Sequence, residues 1–273
     1  NDLAIEAIRA AIGGCAIGQE LVVLEATGST NDLAAQLAAD GAPHGTLIVA
    51  RRQSAGRGRR GRRWWHDADH GIACSLVLRP ALPASRAPEL VHVAALAVDD
   101  TVNGLQIASR IKWPNDIVAL EPGPPSDGAC AGGWRKLAGI LVESSLRGDQ
   151  IERAVVGIGL NVNTPAGAFA AAAGGQASSL SAVSGATYDR AALIGDICRH
   201  LDRWFARWQG GGFTPLRSEL VRRSATLGQT VHVTVDGRPA VGRAIDLTAD
   251  GALLVEIAPG QRVEMREPPA DRS

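Results

Sequence analysis

The sequence predicts an α+β protein, a sheet backed by helices and followed by a small β-barrel, and three observations carry that expectation. Apolar runs at residues 21–24, 45–50, 72–78, 107–113, 136–144 and 151–160 read as strands, the last two so continuous that they belong in the middle of a sheet. Segments with helical apolar spacing lie among them. From about Ala225 the pattern changes to short alternating strands, 230–235 and 252–257, with Asp236-Gly237 and Asp250-Gly251 as turn signals. A chain of 273 residues with 45% hydrophobic residues can bury a full core, divided here into a large domain, 1–224, and a small one, 225–273.

Taken in order, Leu3, Ile5, Ala7, Ile8 and Ile12 make a short helical stripe that stops at Gly13-Gly14, too short for a separate DNA-binding domain. Ser29-Thr30-Asn31 supplies N-capping side chains for an alanine-rich helix ending at Gly41. Strand 45–50 delivers an arginine-rich loop and strand 72–78 leaves it. Pro88 opens a long helix through about Val102, and Pro114 breaks strand 107–113. Residues 123–133 read as a mobile hairpin tip or insertion, and residues 166–185 as a loose alanine- and glycine-rich stretch. Ile194, Ile197, Cys198, Leu201, Trp204, Phe205 and Trp208 then fall on one helical stripe, a core face.

Composition excludes several classes. Twenty-eight basic against 28 acidic residues argues against a general nucleic-acid coat. The four cysteines, Cys15, Cys74, Cys130 and Cys198, form no CxxC pair, so they read as reduced core thiols. No apolar run reaches transmembrane length, and the expectation is a soluble, cytoplasmic protein. His66 to His70 offers two histidines without a third ligand, and no GxSxG elbow or activated cysteine suggests a hydrolase.

Gly56 to Arg63 packs five arginines and three glycines into eight residues, closed by Trp64. The glycines would allow positive φ and bring N–H groups close to an anion, and arginine adds a fixed fork of donors. A phosphate-handling loop, a nucleic-acid patch and a solvated loop all fit the string, the neutral net charge counting against the second. Gly56, Gly58 and Gly61 also satisfy GxGxxG, but no helix follows, and position 81 is an alanine where a dinucleotide site needs an acid.

Three further strings complete the set: Lys112-Trp113-Pro114-Asn115-Asp116, residues 135–143, and residues 157–163. With Ser29-Thr30-Asn31 and the arginine loop they resemble the biotin-protein ligases, in the family's order over residues 27–163, and the terminal strands are similar to that family's small C-terminal domain. The resemblance implies a class II aminoacyl-tRNA synthetase/biotin ligase-like fold with a mixed, largely antiparallel sheet. It also implies two steps: biotin and ATP give biotinyl-AMP, then a lysine of a biotin carboxyl carrier protein takes the biotin. Mg²⁺ accompanies the ATP; no stable nucleic-acid partner, membrane or repressor role is expected, and a homodimer stays open. A lipoate-type ligase and a nucleic-acid-binding module are the alternatives.

Carried onto this sequence, the resemblance places Ser29, Thr30, Asn31 and Gln53, with Gly56, Arg57 and Gly58, at the ureido ring of biotin. Gly139, Ile140, Leu141, Gly157 and Gly159 would wall an apolar slot, or be ordinary buried strand. Arg57 and Arg59 would fold over the acyl-adenylate, and Lys136 would hold its carboxyl and phosphoryl oxygens, making Arg59 and Lys136 the catalytic pair. Arg60, Arg62 and Arg63 would be solvated or steering. Trp64 would stack on adenine or anchor the loop's base. Lys112, Asn115 and Asp116 would face the nucleotide, Asp116 also Mg²⁺. Asn161 would sit beside ribose or phosphate or cap a strand, and Arg266 would reach back to the nucleotide. Residues 121–134 replace a tighter connection found in many members of the family.

Overall fold

A computed structural model describes residues 2–120, 133–165, 167–169 and 176–268. The expected hairpin tip, apart from Gly133, lies outside the described residues, as does much of the stretch expected to be loose. Helix α1 (Ile5–Ile12) ends at Gly13, whose φ of 61° suits a residue without Cβ. Strands β1 (Leu21–Thr27) and β2 (Leu47–Gln53) flank α2 (Thr30–Ala39) and pair in parallel, the arrangement a crossover helix permits. Ser29 caps α2 as expected, its side chain accepting from the Asp32 N–H at 3.4 Å.

Five more strands complete the sheet: β3 (Gly71–Leu78), β4 (Ser109–Lys112), β5 (Asp116–Leu120), β6 (Trp134–Arg147) and β7 (Gln150–Asn161). The order is β1-β2-β3-β7-β6-β5-β4, and every pairing beyond β1–β2 is antiparallel. Helix α3 (Leu90–Gly104) begins two residues after Pro88, which sits in a preceding 3₁₀ turn. Inside the stretch expected to be loose, α4 (Leu180–Ser184) is ordered by the Ser179 cap, buried Leu180 and left-handed Gly185. Helix α5 (Arg190–Gly211) buries the predicted stripe. The sequence reading passed over α6 (Thr214–Arg222), since it buries only Leu216 and Leu220 and its start is marked by Pro215 alone.

Side chains alternate between the two faces of each strand, so one face of β3 and β7 joins α1, α3 and α5 in a large core. On the other face α2 packs its Ala34 and Ala38 against Ile48, Val77 and Val155. That helix has 10 residues, and the part of the face it does not reach is where the candidate site lies. The terminal strands β8 (Thr230–Val235), β9 (Arg238–Leu247), β10 (Leu253–Ala258) and β11 (Gln261–Met265) form an antiparallel meander. They hydrogen-bond in the order β11-β10-β9-β8, and among the described residues no pairing of β8 with β11 closes the expected small barrel. The large core runs on into it through Val233, Ala244, Leu253 and Val255.

Candidate active site

The uncovered face is built from two cross-strand rows. Strand register aligns Ser75 with Gly157 and Leu141, and Ala73 with Gly159, Gly139 and Asp116. Three of these positions are glycines, so that part of the floor is bare backbone, over which lies a slot with about 60 Å³ of free space. Nearly all the residues expected at an acyl-binding slot line it: Ser29, Thr30, Asn31, Gln53, Arg57, Gly58, Arg59, Trp64, Asn115, Lys136, Gly139, Ile140, Leu141, Gly157 and Gly159. Cys74 and Ile158 line it too, unforeseen in the sequence. Burial pushes the Cys74 thiol up to about 12, so it is no nucleophile.

One end of the slot is polar and closed. The Asn31 amide carbonyl accepts from Ser75 Oγ at 2.7 Å, and its Nδ2 donates to Glu143 at 2.8 Å. Gln53 Oε1 accepts from the Thr30 N–H at 2.8 Å and lies 3.1 Å from the Thr30 hydroxyl, which in turn is 2.8 Å from Ser75 Oγ. Asn31 explains the glycine at 157, because a Cβ there would stand 2.0 Å from Asn31 Oδ1.

Trp64 occupies the other glycines. A Cβ on Gly159 would lie 2.3 Å from its Cε2, and one on Gly139 would lie 2.9 Å from its Cζ3. The indole thus lies within the slot, its Nε1 buried with no hydrogen-bond partner among the described residues. Lys136 Nζ stands 5.3 Å from the ring centroid, a cation–π contact.

The arginine loop is a tight hairpin, closed by Trp64 N–H to Gly56 O at 2.9 Å and Gly58 N–H to Arg62 O at 2.7 Å. Positive φ occurs at Gly61 and at Arg60, not at Gly56 or Gly58. Gly56 is required for a different reason: a Cβ would meet the Trp64 carbonyl at 2.8 Å. Arg57 is bidentate on Glu143 at 3.0 and 2.7 Å and also reaches Asp32 at 2.6 Å. Arg59 donates to Asn115 Oδ1 at 3.4 Å and stands 3.8 Å from Glu267, which Arg60 also meets at 3.2 Å. Burial lowers the Arg59 pKa from its ordinary value, yet a guanidinium remains charged.

At the mouth Lys136 pairs with Asp116 at 2.7 Å, and Asn115 is fixed by donating Nδ2 to Ile140 O at 3.0 Å. Five expected residues do not line the slot, the first being Gly56, which packs under the Trp64 carbonyl at the loop's base. Lys112 is exposed on β4, while Asn161 is buried with its amide donating to Ser178 O at 2.9 Å, the strand-capping alternative. Asp116 reaches the slot only through Lys136. Arg266 pairs with Asp250 and lines a neighbouring cleft of about 460 Å³ between the two sheets, with Arg59, His92, Trp113 and Glu267. No group of three metal-binding side chains occurs among the described residues, His66 and His70 included. No described helix is long and apolar enough to cross a membrane.

Residues 23–161 match the model of the biotin/lipoate A/B protein ligase family, and residues 226–268 match that of the biotin protein ligase C terminal domain. The chain is 34% identical to the biotin--[acetyl-CoA-carboxylase] ligase of Paracoccus denitrificans, over 88% of this chain and 96% of that protein. It is also 34% identical to the bifunctional ligase/repressor BirA of Bacillus spizizenii, over 89% of this chain and 71% of that one. In fold it is similar to the biotin protein ligase from Aquifex aeolicus solved with biotin and ATP, at a TM-score of 0.72 and 23% identity, covering 92% and 97% of the two chains.

Proposed function

As the chain belongs to the biotin/lipoate A/B protein ligase family, we propose that it is a biotin-protein ligase. It activates biotin with ATP and passes the acyl group to a lysine of a biotin carboxyl carrier protein. The observation that carries this reading is the glycine-floored slot, polar at its closed end, with Arg59 and Lys136 at its mouth. A ureido ring needs polar partners at the far end, and a carboxylate needs cations at the near one.

In the first step a biotin carboxylate oxygen attacks the α-phosphorus and the bond to pyrophosphate breaks. Two anions must meet, so the barrier falls where cations are already in place for the charge that builds on the phosphoryl oxygens. Arg59 comes from the loop and Lys136 from β6, oriented by Asn115 and Asp116 respectively. In the second step the carrier's amine attacks the acyl carbon, AMP departs with the carbon–oxygen electrons, and the amine loses a proton. The Trp64 ring lies over Gly139 and Gly159, so stacking on adenine would require it to leave them, which would also open the slot floor to the acid.

Mg²⁺ typically binds through one or two carboxylates plus substrate phosphates. Asp116 supplies one such carboxylate beside Lys136, a fit to that donor set, and the ion would neutralise phosphate charge when bound with ATP. Asn161 supports the strand behind this region, and Arg266, which lines the adjoining cleft, would meet the nucleotide from the small sheet. On this reading the two functional units meet at residues 224/225, and the reaction is cytoplasmic. The arginines count against a nucleic-acid module, since Arg57, Arg59 and Arg60 face carboxylates of this same chain.

The test is to incubate the protein with ATP, Mg²⁺, a carrier domain and either biotin or lipoate. A carrier mass increase with biotin alone is expected; modification by lipoate alone would replace the reading with its sibling.

A further inference from the structure

We propose that Glu143 is the positioning residue of the acid-binding slot, a role that rests on the ligase reading and adds a residue to it. One carboxylate holds two groups of opposite kinds. It receives both ends of the Arg57 guanidinium, and it receives Asn31 Nδ2. Arg57 is thereby drawn toward Glu143 and Asp32, on the α2 side of the slot, and away from the phosphoryl end where Arg59 and Lys136 stand. Its guanidinium closes the loop's base; it does not cover the adenylate.

The second contact sets polarity. Asn31 is 4% exposed, so a reversed amide would turn its carbonyl onto a carboxylate and its NH₂ onto Ser75. The charge on Glu143 forbids that reversal, supported by the longer contact from Nδ2 to the Leu141 carbonyl at 3.5 Å. With Asn31 Oδ1 fixed as an acceptor, the single Ser75 proton goes to it at 2.7 Å, and the Thr30 hydroxyl donates onward to Ser75 or to Gln53. Gln53 Oε1 is then held by Thr30, and its NH₂ is what remains to face the slot, the donor that a ureido oxygen requires. A carboxylate outside the slot, seconded by the Leu141 carbonyl, therefore sets which hydrogen-bonding groups its closed end presents.

The experiment is biotin-dependent ATP–pyrophosphate exchange on the full chain and on Glu143→Ala, Glu143→Gln, Arg57→Ala and the Glu143→Ala/Arg57→Ala double variant. Glu143→Ala should raise the KM for biotin about tenfold or more while kcat stays within about threefold, because charge-assisted bonds to groups that only bind are lost. Arg57→Ala should also act on KM, and the double variant should be no worse than Glu143→Ala, as expected for partners of one interaction. Glu143→Gln keeps the shape and one acceptor, should stay folded by its melting curve, and should fall between wild type and alanine. Loss of kcat by about a hundredfold in Arg57→Ala without any matching effect of Glu143→Ala would overturn the proposal. So would unchanged biotin KM in a folded Glu143→Gln together with Glu143→Ala. Absence of biotin-dependent exchange in the wild type would instead sink the ligase reading itself.

Discussion

Glycine 159 shows how single atoms set the chemistry of the slot. Adding one methyl group there places it 2.3 Å from the Trp64 ring, whereas at Gly139 the nearest atoms are a ring edge at 2.9 Å and the mobile end of Lys136 at 3.1 Å. Gly159→Ala is therefore expected to weaken biotin binding by about tenfold or more and to shift tryptophan emission, with Gly139→Ala milder, as titration calorimetry and fluorescence will show. His92 is a second case. Burial lowers its pKa to about 4, and because Gly251 O can only accept, the ring proton sits on Nε2, 3.1 Å from it. The unfolded ring titrates near 6.5, so between that pH and 4 the unfolded chain binds more protons. The stabilisation is complete above about 6.5 and shrinks as pH falls, by about 3 kcal/mol at the limit. Urea midpoints at pH 7 and pH 5 should differ accordingly, and His92→Leu should flatten the difference.

Among elements, the strands were legible because nearly unbroken apolar runs admit little else, and α2 because Ser29 announces its start. Helix α6 was not, since a short helix with two buried leucines leaves almost no period. Within the site the loop and glycine strands stand out as strings, yet no role could be read for Glu143 at the end of one of them. Its partnership with Arg57 spans 86 residues and exists only once β6 lies beside the loop, so no local pattern encodes it. Ser75 and Glu267 escaped for the same reason. The loop's two ends also differ in attachment: Arg57 is clamped, while Arg59 and Arg60 share Glu267, which is 63% exposed at its side chain. Arg59→Ala should reduce adenylate formation by about 10²–10³-fold, the usual cost of one charge-stabilising donor. Glu267→Gln, freeing the same guanidinium for phosphate, should lower the KM for ATP about two- to threefold at low salt, with the effect fading as ionic strength rises.

At the scale of the molecule, the two sheets are joined by core and by polar ties. Trp113 Nε1 donates to Gly251 O at 3.0 Å, the same carbonyl that His92 bonds. Arg223, just before the small sheet, reaches fully buried Asp99 at 3.2 Å and Asp100 at 2.5 Å on α3. Burial raises the Asp99 pKa, which marks a carboxylate dependent on its cation. Arg223→Ala should cost about 3–5 kcal/mol, seen as an earlier denaturant midpoint. With one continuous core the unfolding should stay a single transition; a separate early melt of residues 225–268 would show the small sheet to be independent.

The bare floor beneath the slot has a practical corollary for anyone wishing to feed this enzyme a bulkier acid. Nothing can be trimmed from Gly139, Gly157 or Gly159, so every exchange there only narrows the opening. Extra room has to come from the roof, where replacing Trp64 by a smaller residue vacates the space above two of those three positions. Above Gly139 and Gly159, remodelling for a new cargo thus falls to the half of the binding site that hangs from the hairpin, and those glycines must be inherited as they stand.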